Sequence, residues 1–376
     1  MNTTLKLKAK NLQQLLNALR SDGYTTIAPT IHDGAIVYDR VDSIDMLPIG
    51  WSDEQEPASY RLKKHKDETY FDFGPAPQSW KRFLYPPMKK LFSIVRNGKS
   101  LTAVPEKDPT MKYAFIGVRA CELSAILIQD KILVDGPYAD NAYTDARKNL
   151  FTVAINCTRP GGTCFCASMK SGPKVKSGFD LALTEMSAGK EHYFIMQVGT
   201  ELGSRIAGMV ETTPATDEEV GAADALIMRA ESEMKKSVET EGLQALLSEN
   251  LDHPQFDNVA GRCLLCGNCT LVCPTCFCST IEDSTDLFGH VATRTRRWDS
   301  CFTMDFAKVA GGNYRISPKS RYRQWLTHKF STWVGQYGMF GCVGCGRCIT
   351  WCPVGIDVTA EIRSIRGAQT QQRKGD

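Results

Sequence analysis

The spacing of apolar side chains predicts a helix and then a β-hairpin near the start of the chain. Between residues 10 and 20, leucines recur at intervals of three and four residues, which places them on one helical face. These leucines are Leu12, Leu15, Leu16 and Leu19. Residues 25–40 contain two strand-like runs, interrupted at His32-Asp33-Gly34 by a sequence typical of a turn. We expect the helix to pack against a core.

A mixed α/β pattern follows in the next part of the chain. Residues 66–92 carry several prolines and aromatic residues and predict an ordered, irregular loop. Residues 113–118 predict a strand, and a turn at 119–122 leads into a helix from Leu123 onward. Further strands are predicted at 151–155, 180–183 and 193–198. Residues 216–250 then open with Thr216-Asp-Glu-Glu, which indicates the start of a helical segment.

Composition and charge argue against several classes of protein. Apolar residues make up 42% and charged residues 23% of the 376 residues, as in ordinary globular proteins. The net charge of +3 lacks the basic excess typical of nucleic-acid binders, so no nucleic-acid partner is expected. No segment has the pattern of a signal peptide or of a membrane span, which needs roughly 18 apolar residues. We expect a cytoplasmic protein.

The 15 cysteines change this picture. Four lie between residues 121 and 166, seven between 263 and 301, and four between 342 and 352. A secreted disulfide scaffold is usually a much shorter chain. In a large chain without a signal peptide, clustered cysteines are more typical of metal ligands.

Two of these clusters share one motif. The first is Cys263-Leu-Leu-Cys266-Gly-Asn-Cys269-Thr-Leu-Val-Cys273-Pro274, and the second is Cys342-Val-Gly-Cys345-Gly-Arg-Cys348-Ile-Thr-Trp-Cys352-Pro353. Both fit the C-x2-C-x2-C-x3-C-P run of bacterial two-cluster ferredoxins. Three closely spaced cysteines wrap the backbone around one cubic cluster. The fourth, which we expect to begin a helix leading away, ligates the other cluster.

This rule assigns four ligands to each of two 4Fe–4S clusters. The predicted ligands of cluster one are Cys263, Cys266, Cys269 and Cys352. The predicted ligands of cluster two are Cys342, Cys345, Cys348 and Cys273. Zinc also binds C-x2-C pairs, but zinc sites do not need a third cysteine at the same three-residue interval. Iron–sulfur clusters are therefore the stronger interpretation.

The gap between the motifs suggests a larger domain than a compact ferredoxin. Cys273 and Cys342 are 69 residues apart, and residues 304–309 and 321–331 have helical patterns. The predicted fold class is therefore α+β. Its predicted parts are a mixed α/β domain over residues 1–215, a helical connector over 216–254 and a helical dicluster ferredoxin domain over 255–376.

Four further cysteines lie in the N-terminal part, at Cys121, Cys157, Cys164 and Cys166. Cys121 and Cys157 each follow one of the predicted strands. If those strands are neighbours, both thiols lie at one sheet edge, beside Cys164-Phe-Cys166. Gly161-Gly162 would allow the close backbone approach that a cluster needs. The four thiols are therefore either ligands of a third 4Fe–4S cluster or free buried thiols, which are common in cores.

The remaining cysteines are Cys276, Cys278 and Cys301. Three thiols are one ligand too few for a metal site. These cysteines could shield a cluster, supply an alternative ligand or contact a partner's site. We favour a structural role. The histidines form no ligand spacing or catalytic pair, so no catalytic residues are predicted. No glycine-rich nucleotide motif follows a strand, so we expect no nucleotide or flavin site in this chain.

The whole chain resembles the beta subunits of soluble sulfhydrogenases, the NAD(P)-linked nickel–iron hydrogenases, and is also similar to the electron-carrying subunit of anaerobic sulfite reductase. The segments that carry the resemblance lie between about residues 80 and 355. They are Phe83-Leu-Tyr-Pro-Pro, Gly117-Val-Arg-Ala-Cys-Glu, Asn156-Cys-Thr-Arg-Pro-Gly-Gly-Thr-Cys-Phe-Cys, Gly178-Phe-Asp-Leu, Cys273-Pro-Thr-Cys-Phe-Cys278, Arg297-Trp-Asp-Ser-Cys301 and Cys342-Val-Gly-Cys-Gly-Arg-Cys.

The resemblance implies an electron-transfer subunit of an oxidoreductase complex. Such a subunit works beside a flavin subunit that exchanges hydride with NAD(P)H, and it relays electrons to or from a catalytic partner. That partner is the small and large subunits of a nickel–iron hydrogenase in the favoured branch, and a siroheme sulfite reductase subunit in the other. A self-standing iron–sulfur oxidoreductase and an iron–sulfur redox sensor are the remaining hypotheses, but no further cofactor site or effector module is recognisable.

Overall fold

The computed structural model describes residues 4–106, 111–188 and 191–372. The strands are β1 (Thr4–Lys8), β2 (Thr25–His32), β3 (Ala35–Arg40), β4 (Trp51–Glu56), β5 (Ser59–Lys64), β6 (Met88–Asn97), β7 (Ser100–Pro105), β8 (Tyr113–Arg119), β9 (Leu150–Ile155), β10 (Leu181–Ala188), β11 (Glu191–Val198), β12 (Thr213–Pro214), β13 (Ser279–Thr285), β14 (Val291–Trp298), β15 (Lys308–Val309) and β16 (Gly312–Asn313). The helices are α1 (Leu12–Ser21), α2 (Lys81–Leu84), α3 (Ala120–Leu133), α4 (Asn141–Lys148), α5 (Glu201–Ala207), α6 (Asp217–Ser232), α7 (Leu243–Glu249), α8 (Gln255–Ala260), α9 (Asn268–Leu271), α10 (Pro318–Thr327), α11 (Trp333–Tyr337), α12 (Arg347–Thr350) and α13 (Val358–Gln372).

An eight-stranded sheet organises the N-terminal part, in the order β12-β1-β11-β10-β9-β8-β2-β3. The four strands β2, β8, β9 and β10 run parallel to one another, and the other neighbours are antiparallel. Every residue of β9 is buried, as expected for a parallel strand that is covered on both faces. The predicted strands at 113–118, 151–155, 180–183 and 193–198 are confirmed.

The first predicted elements are also confirmed. The strands β2 and β3 form an antiparallel hairpin around the turn at residues 33–34, and the four leucines of α1 are fully buried. The third helix begins earlier than predicted, because Ala120 directly follows the last residue of β8. The expected turn at 119–122 is therefore wrong, and Cys121 lies in the first turn of α3.

A second sheet corrects the prediction of a purely helical ferredoxin domain. The hairpin formed by β13 and β14 lies between the two cysteine motifs, and β14 pairs with β6 to give a four-stranded sheet in the order β13-β14-β6-β7. The expected irregular loop at 66–92 therefore ends in α2 and the first residues of β6. The period of two in β13 and β14 was missed because charged residues occupy many of their positions.

The rest of the C-terminal part is helical. The predicted helix at 321–331 is confirmed as α10 and the π-helical turn His328–Thr332 that continues it. Residues 304–309 contain only a short 3-10 turn and β15, so the helix expected there is wrong. The connector region holds α6, which begins with a capping box between Thr216 and Glu219, and then α7. The boundaries at 215 and 254 stay predictions.

Two hydrophobic cores meet where the N-terminal and C-terminal parts touch. The larger core covers the main sheet. The second is built from α7, α8, α10 and α13, and it includes Phe165 from the N-terminal cysteine loop. Cysteine motif two is therefore packed against the N-terminal part. Across the described residues, the helices are too short or too polar to cross a membrane.

Candidate iron–sulfur centre

The two cysteine motifs follow the same backbone path. In each, a glycine with a left-handed backbone, Gly267 (φ 72°) or Gly346 (φ 77°), precedes a one-turn helix, α9 or α12. The residue two positions earlier is also left-handed, at Leu265 (φ 55°) in motif one and Gly344 (φ 62°) in motif two. The fourth cysteine follows this short helix rather than beginning one, which corrects the sequence expectation. These left-handed turns reverse the chain direction, so that the first three cysteines of each motif line the same cavity.

Cavity A is the space next to motif one. The four cysteines predicted for cluster one all line it, together with Cys348. These four are Cys263, Cys266, Cys269 and Cys352. Three belong to motif one and the last comes from motif two. Cys266 is the exposed member among the 15 cysteines, all of which lie in described residues.

Cavity B is the space next to motif two. The four cysteines predicted for cluster two all line it. They are Cys273, Cys342, Cys345 and Cys348. Motif one thus contributes its fourth cysteine to the cavity of motif two, as the ferredoxin rule requires. The two cavities share Cys348 and Trp325 in their walls.

Cavity A contains hydrogen-bond donors that the protein leaves unused. The hydroxyl of Tyr322 and the indole Nε1 of Trp325 are buried, and neither has a hydrogen-bond partner among the described residues. Both side chains line cavity A. Buried donors are rarely left unsatisfied. An iron–sulfur cluster would supply sulfur acceptors at this place, so the residues fit the group.

A buried lysine serves cavity B. Lys329 is 4% exposed, and its Nζ donates to Cys273 Sγ, Thr275 Oγ1 and the Gly341 carbonyl, each at 3.2 Å. Gly341 in turn donates its N–H to the Lys329 carbonyl at 2.8 Å. A hydrogen bond with Cys276 and the charge of Lys329 hold the pKa of Cys273 well below its usual value. Cys273 is therefore prepared to act as a thiolate ligand.

Most of the other predicted ligands are neutral thiols in the absence of metal. Burial raises the pKa of Cys269 and Cys348 well above the usual range and that of Cys342 to about 12. A bound metal reverses this preference, because a coordinating thiol loses its proton. We expect binding of iron to release protons from these cysteines.

The N-terminal cysteines come together at the carboxyl ends of two parallel strands. The strands β8 and β9 are neighbours, as the sequence analysis supposed, and Cys121 and Cys157 lie two residues beyond their ends. Burial, followed by the charges of Cys164 and Cys157, raises the pKa of Cys166, so these three thiols are close enough to interact. Burial and the charge of Cys166 do the same for Cys121. Arg119, which is buried, donates from Nη1 to Cys157 Sγ at 3.2 Å.

The N-terminal cysteine loop packs directly on motif two. The N–H of Phe165 donates to the Gly344 carbonyl at 2.8 Å, and Cys164 Sγ lies 3.8 Å from the Cys345 carbonyl oxygen. A Cβ on Gly344 would lie 2.6 Å from the Phe165 carbonyl oxygen, so only glycine fits there. The backbone of Gly161 also approaches Cys164 Sγ closely, since a Cβ would be 3.2 Å away. The four N-terminal thiols thus lie beside cavity B.

The three remaining cysteines lie outside both cavities. Lys81, which is buried, donates to the carbonyls of Cys273 and Cys276 at 3.1 and 2.9 Å. A hydrogen bond with Cys301 lowers the pKa of Cys278 to about 7. The lysine fixes the backbone of the loop that follows motif one. Neither Cys276, Cys278 nor Cys301 lines cavity A or B.

A buried ion pair that the sequence analysis did not single out joins α3 to motif two. Arg347 pairs with Glu122, and the two side chains are 0% and 1% exposed. Glu122 also accepts from Tyr38 Oη at 2.7 Å and from Trp80 Nε1 at 3.1 Å. The sequence signals were that Arg347 stands inside motif two and that Glu122 directly follows Cys121. The pair fixes the position of motif two on the N-terminal part.

The cysteine groups are not arranged as sites for a single metal ion. In the ranges that the structure describes, no three His, Cys, Asp or Glu side chains converge closely enough for one ion. This includes the cysteine sets around cavities A and B.

Comparison with known proteins agrees with this geometry. Residues 262–356 match the family model of the 4Fe–4S dicluster domain. Over 367 residues, covering 96% of this chain and 98% of the relative, the chain is 30% identical to "Sulfhydrogenase 2 subunit beta" of Pyrococcus furiosus. The chain belongs to the sulfhydrogenase beta-subunit family. The resemblance identified from motifs between residues 80 and 355 is therefore confirmed, and the match to the family extends over nearly the whole chain.

Proposed function

We propose that this protein is the iron–sulfur electron-transfer subunit of a cytoplasmic nickel–iron hydrogenase complex. It would relay electrons between a flavin subunit that reacts with NAD(P)H and the hydrogenase small and large subunits. The observation that carries the proposal is the crosswise arrangement of the two cysteine motifs around cavities A and B. Similarity to a sulfhydrogenase beta subunit supports the choice of complex.

The proposed ligands follow from the cavity linings. Cluster one is held in cavity A by Cys263, Cys266, Cys269 and Cys352. Cluster two is held in cavity B by Cys273, Cys342, Cys345 and Cys348. Once bound, each 4Fe–4S cluster supplies a site that takes up and releases one electron.

The protein's own side chains prepare the two cavities differently. Both cavities have apolar walls, but the neutral Tyr322 hydroxyl lies in the wall of cavity A and the Lys329 cation in that of cavity B. Such walls restrict water, and burial together with hydrogen bonds to sulfur sets the potential of a cluster. The exposed Cys266 leaves cavity A closer to the surface than cavity B.

We also propose that Cys121, Cys157, Cys164 and Cys166 hold a third 4Fe–4S cluster. The support is their meeting at one sheet edge and the buried Arg119 cation at Cys157, which suits an anionic group. Iron and acid-labile sulfide per chain test this on anaerobically reconstituted protein. About twelve iron atoms per chain would support three clusters. About eight would mean that these four cysteines are free buried thiols.

The function itself is tested by replacing a ligand in cavity B. We expect Cys345→Ser to abolish electron flow to the catalytic partner and to leave the flavin subunit's reaction with NAD(P)H and an artificial acceptor intact. The matched control is Cys301→Ser, because Cys301 lines neither cavity, and it should retain coupled activity. Unchanged coupled activity in Cys345→Ser would contradict the proposed function.

The catalytic partner needs a separate experiment. Purification of the native complex through a tag on this chain should retain nickel, which the hydrogenase subunits bring. Recovery of siroheme instead would assign the chain to the sulfite reductase branch. Recovery of the chain alone with bound flavin would favour a self-standing oxidoreductase.

A further inference from the structure

The charge on the two cavity walls differs, and this difference bears on the clusters that the proposed function places there. None of the described residues that line cavity A carries a charge. Cavity B is lined by Lys329 and Arg347. Arg347 is paired with Glu122, so that pair adds no net charge. Lys329 is the side chain that distinguishes the two cavities.

The hydrogen bonds of Lys329 match the donors of an ammonium group. Its Nζ has three acceptors at 3.2 Å, on Cys273, Thr275 and Gly341. A lysine ammonium has three N–H donors, whereas a neutral amine has two. Every donor is therefore directed at a fixed acceptor, and only one of these acceptors, the Cys273 sulfur, can carry a negative charge.

Among the described residues, no carboxylate neutralises this charge. Lys329 has none of their carboxylates at ion-pair distance, although its side chain is 4% exposed. A buried and unpaired cation is costly, so the fold requires a negative group in contact with it. The Cys273 thiolate, as a ligand in cavity B, is that group.

We propose that Lys329 is a positioning residue that raises the reduction potential of cluster two relative to the value it would have without the lysine charge. This inference rests on the proposed function, since it presumes a cluster in cavity B. Reduction adds one negative charge to a cluster. A fixed cation in a buried site stabilises the reduced form more than the oxidised form, because the attraction is little screened there.

The local fold holds Lys329 in place. It lies in the π-helical turn His328–Thr332, between α10 and α11, and a π-helical turn is often found at functional sites. Its carbonyl accepts the N–H of Gly341, the residue before motif two. The backbone carbonyl and the side chain of Lys329 thus both form hydrogen bonds with Gly341. These bonds hold the ammonium group in a fixed position relative to cavity B.

The test is a potentiometric titration of the purified, cluster-loaded chain, followed by EPR. Lys329→Met and Lys329→Gln remove the charge and keep most of the volume. We expect the midpoint potential of one ferredoxin-type cluster to fall and that of the other to change less, because Lys329 donates directly only to the Cys273 ligand. The matched control is Lys319→Met, since Lys319 is a lysine of α10 whose ammonium pairs with Asp257 at the surface. Equal shifts in both clusters, or no shift, would overturn the proposal.

A second measurement covers the case in which both variants lose iron. Wild-type protein labelled with ¹⁵Nζ-lysine is partly reduced and examined by hyperfine EPR spectroscopy. A nitrogen coupling from a lysine hydrogen-bonded to a cluster ligand is expected, because Lys329 donates to Cys273 Sγ while Lys81 donates only to carbonyl oxygens. Absence of this coupling would contradict the proposal.

The outcome is separable from that of the proposed function. Failure of the proposed function appears as coupled activity that survives Cys345→Ser. Failure of this inference appears in the potentials or the nitrogen coupling of a chain that still holds its clusters.

Discussion

The two cysteine motifs have the same backbone turns but different neighbours. Leu265 in motif one and Gly344 in motif two both adopt a left-handed conformation, at φ 55° and 62°. A Cβ at Gly344 would lie 2.6 Å from the Phe165 carbonyl oxygen, so a side chain is excluded there. Motif one tolerates a leucine because this N-terminal loop does not cover it. The ligand spacing is thus a local property, whereas the residues between the ligands are decided by what packs on the loop.

The same contrast extends to the cavities. The wall of cavity A includes an exposed cysteine, Cys266, and the Tyr322 hydroxyl, which has no hydrogen-bond partner among the described residues. Cavity B is enclosed by the N-terminal part and contacts the Lys329 ammonium and the buried pair of Arg347 and Glu122. Two equivalent sets of four cysteines therefore lie in different surroundings, and these surroundings would give the two proposed clusters different properties.

The largest expected effect comes from breaking the buried ion pair on the side of cavity B. Glu122→Gln leaves Arg347 charged and without its carboxylate partner in a site that is 0% exposed. We expect a loss of about 3–5 kcal/mol in the free energy of unfolding. Urea denaturation, with visible absorbance followed in parallel, should show that cluster loss accompanies unfolding.

A surface ion pair is the control for this prediction. The pair between Lys319 and Asp257 spans 2.8 Å, but the side chains are 29% and 63% exposed. Lys319→Met should change the free energy of unfolding by less than about 1 kcal/mol. If Glu122→Gln is as mild as the control, the pair does not hold motif two in place.

The next effect is expected from exchanging the residues that distinguish the two loops. Gly344→Ala introduces a side chain in a left-handed conformation against the Phe165 backbone, so we expect a loss of about 1–3 kcal/mol and weaker retention of iron. Leu265→Gly makes the opposite change in motif one; it removes a side chain that packs on the second core but relieves the left-handed backbone, so it should retain more iron than Gly344→Ala. Iron per chain after gel filtration and the urea midpoint measure both. Equal behaviour of the two variants would remove the asymmetry between the two motifs.

The sequence predicted the parts of this architecture that depend on short-range pattern. The C-x2-C-x2-C-x3-C-P spacing predicted which cysteines surround each cavity, because the spacing itself folds the loop. The two apolar runs predicted strands β8 and β9, and the sequence placed Cys121 and Cys157 at one sheet edge on the condition that these strands are neighbours, which they are.

The features that were missed depend on segments far apart in the chain. The pairing of β14 with β6 joins residues about 200 positions apart, and charged side chains hide the alternation of apolar and polar residues in β14. Lys329 and Tyr322 stand outside every cysteine motif and reach the cavities only through the packing of α10 and the turn after it. No local pattern shows that a lysine will be buried against a thiolate, since most lysines are exposed.

A smaller effect is expected from the neutral donors of cavity A. The Tyr322 hydroxyl is buried without a partner among the described residues, so in the cluster-loaded protein it is free to donate to sulfur. Tyr322→Phe should lower the midpoint potential of cluster one by the loss of one hydrogen bond, about 1 kcal/mol, and leave cluster two unchanged. Tyr314→Phe is the control, since Tyr314 is 75% exposed. A shift in cluster two alone would show that Tyr322 serves the other cavity.

The smallest effect concerns the pH dependence of stability on the side of cavity B. Burial, and then the charge of Lys329, hold the pKa of His328 below its usual value. The unfolded chain, with a histidine pKa of about 6.5, therefore binds the proton more readily than the folded chain. Stability from this residue is present above pH ~6.5 and is lost as the pH falls.

Urea unfolding of wild type and His328→Gln between pH 8 and 5.5 gives the free energy of unfolding as a function of pH. The difference between the two slopes measures the contribution of His328. In Lys329→Met, His328 keeps its burial but loses the neighbouring charge, so the loss of stability at low pH should be smaller. If the free energy of unfolding has the same pH dependence in wild type and His328→Gln, His328 does not contribute to that dependence. If Lys329→Met leaves the pH dependence of the free energy of unfolding unchanged, the Lys329 charge does not lower the pKa of His328. The pH dependence thus reports, from the protein side, the same lysine charge that distinguishes cavity B from cavity A.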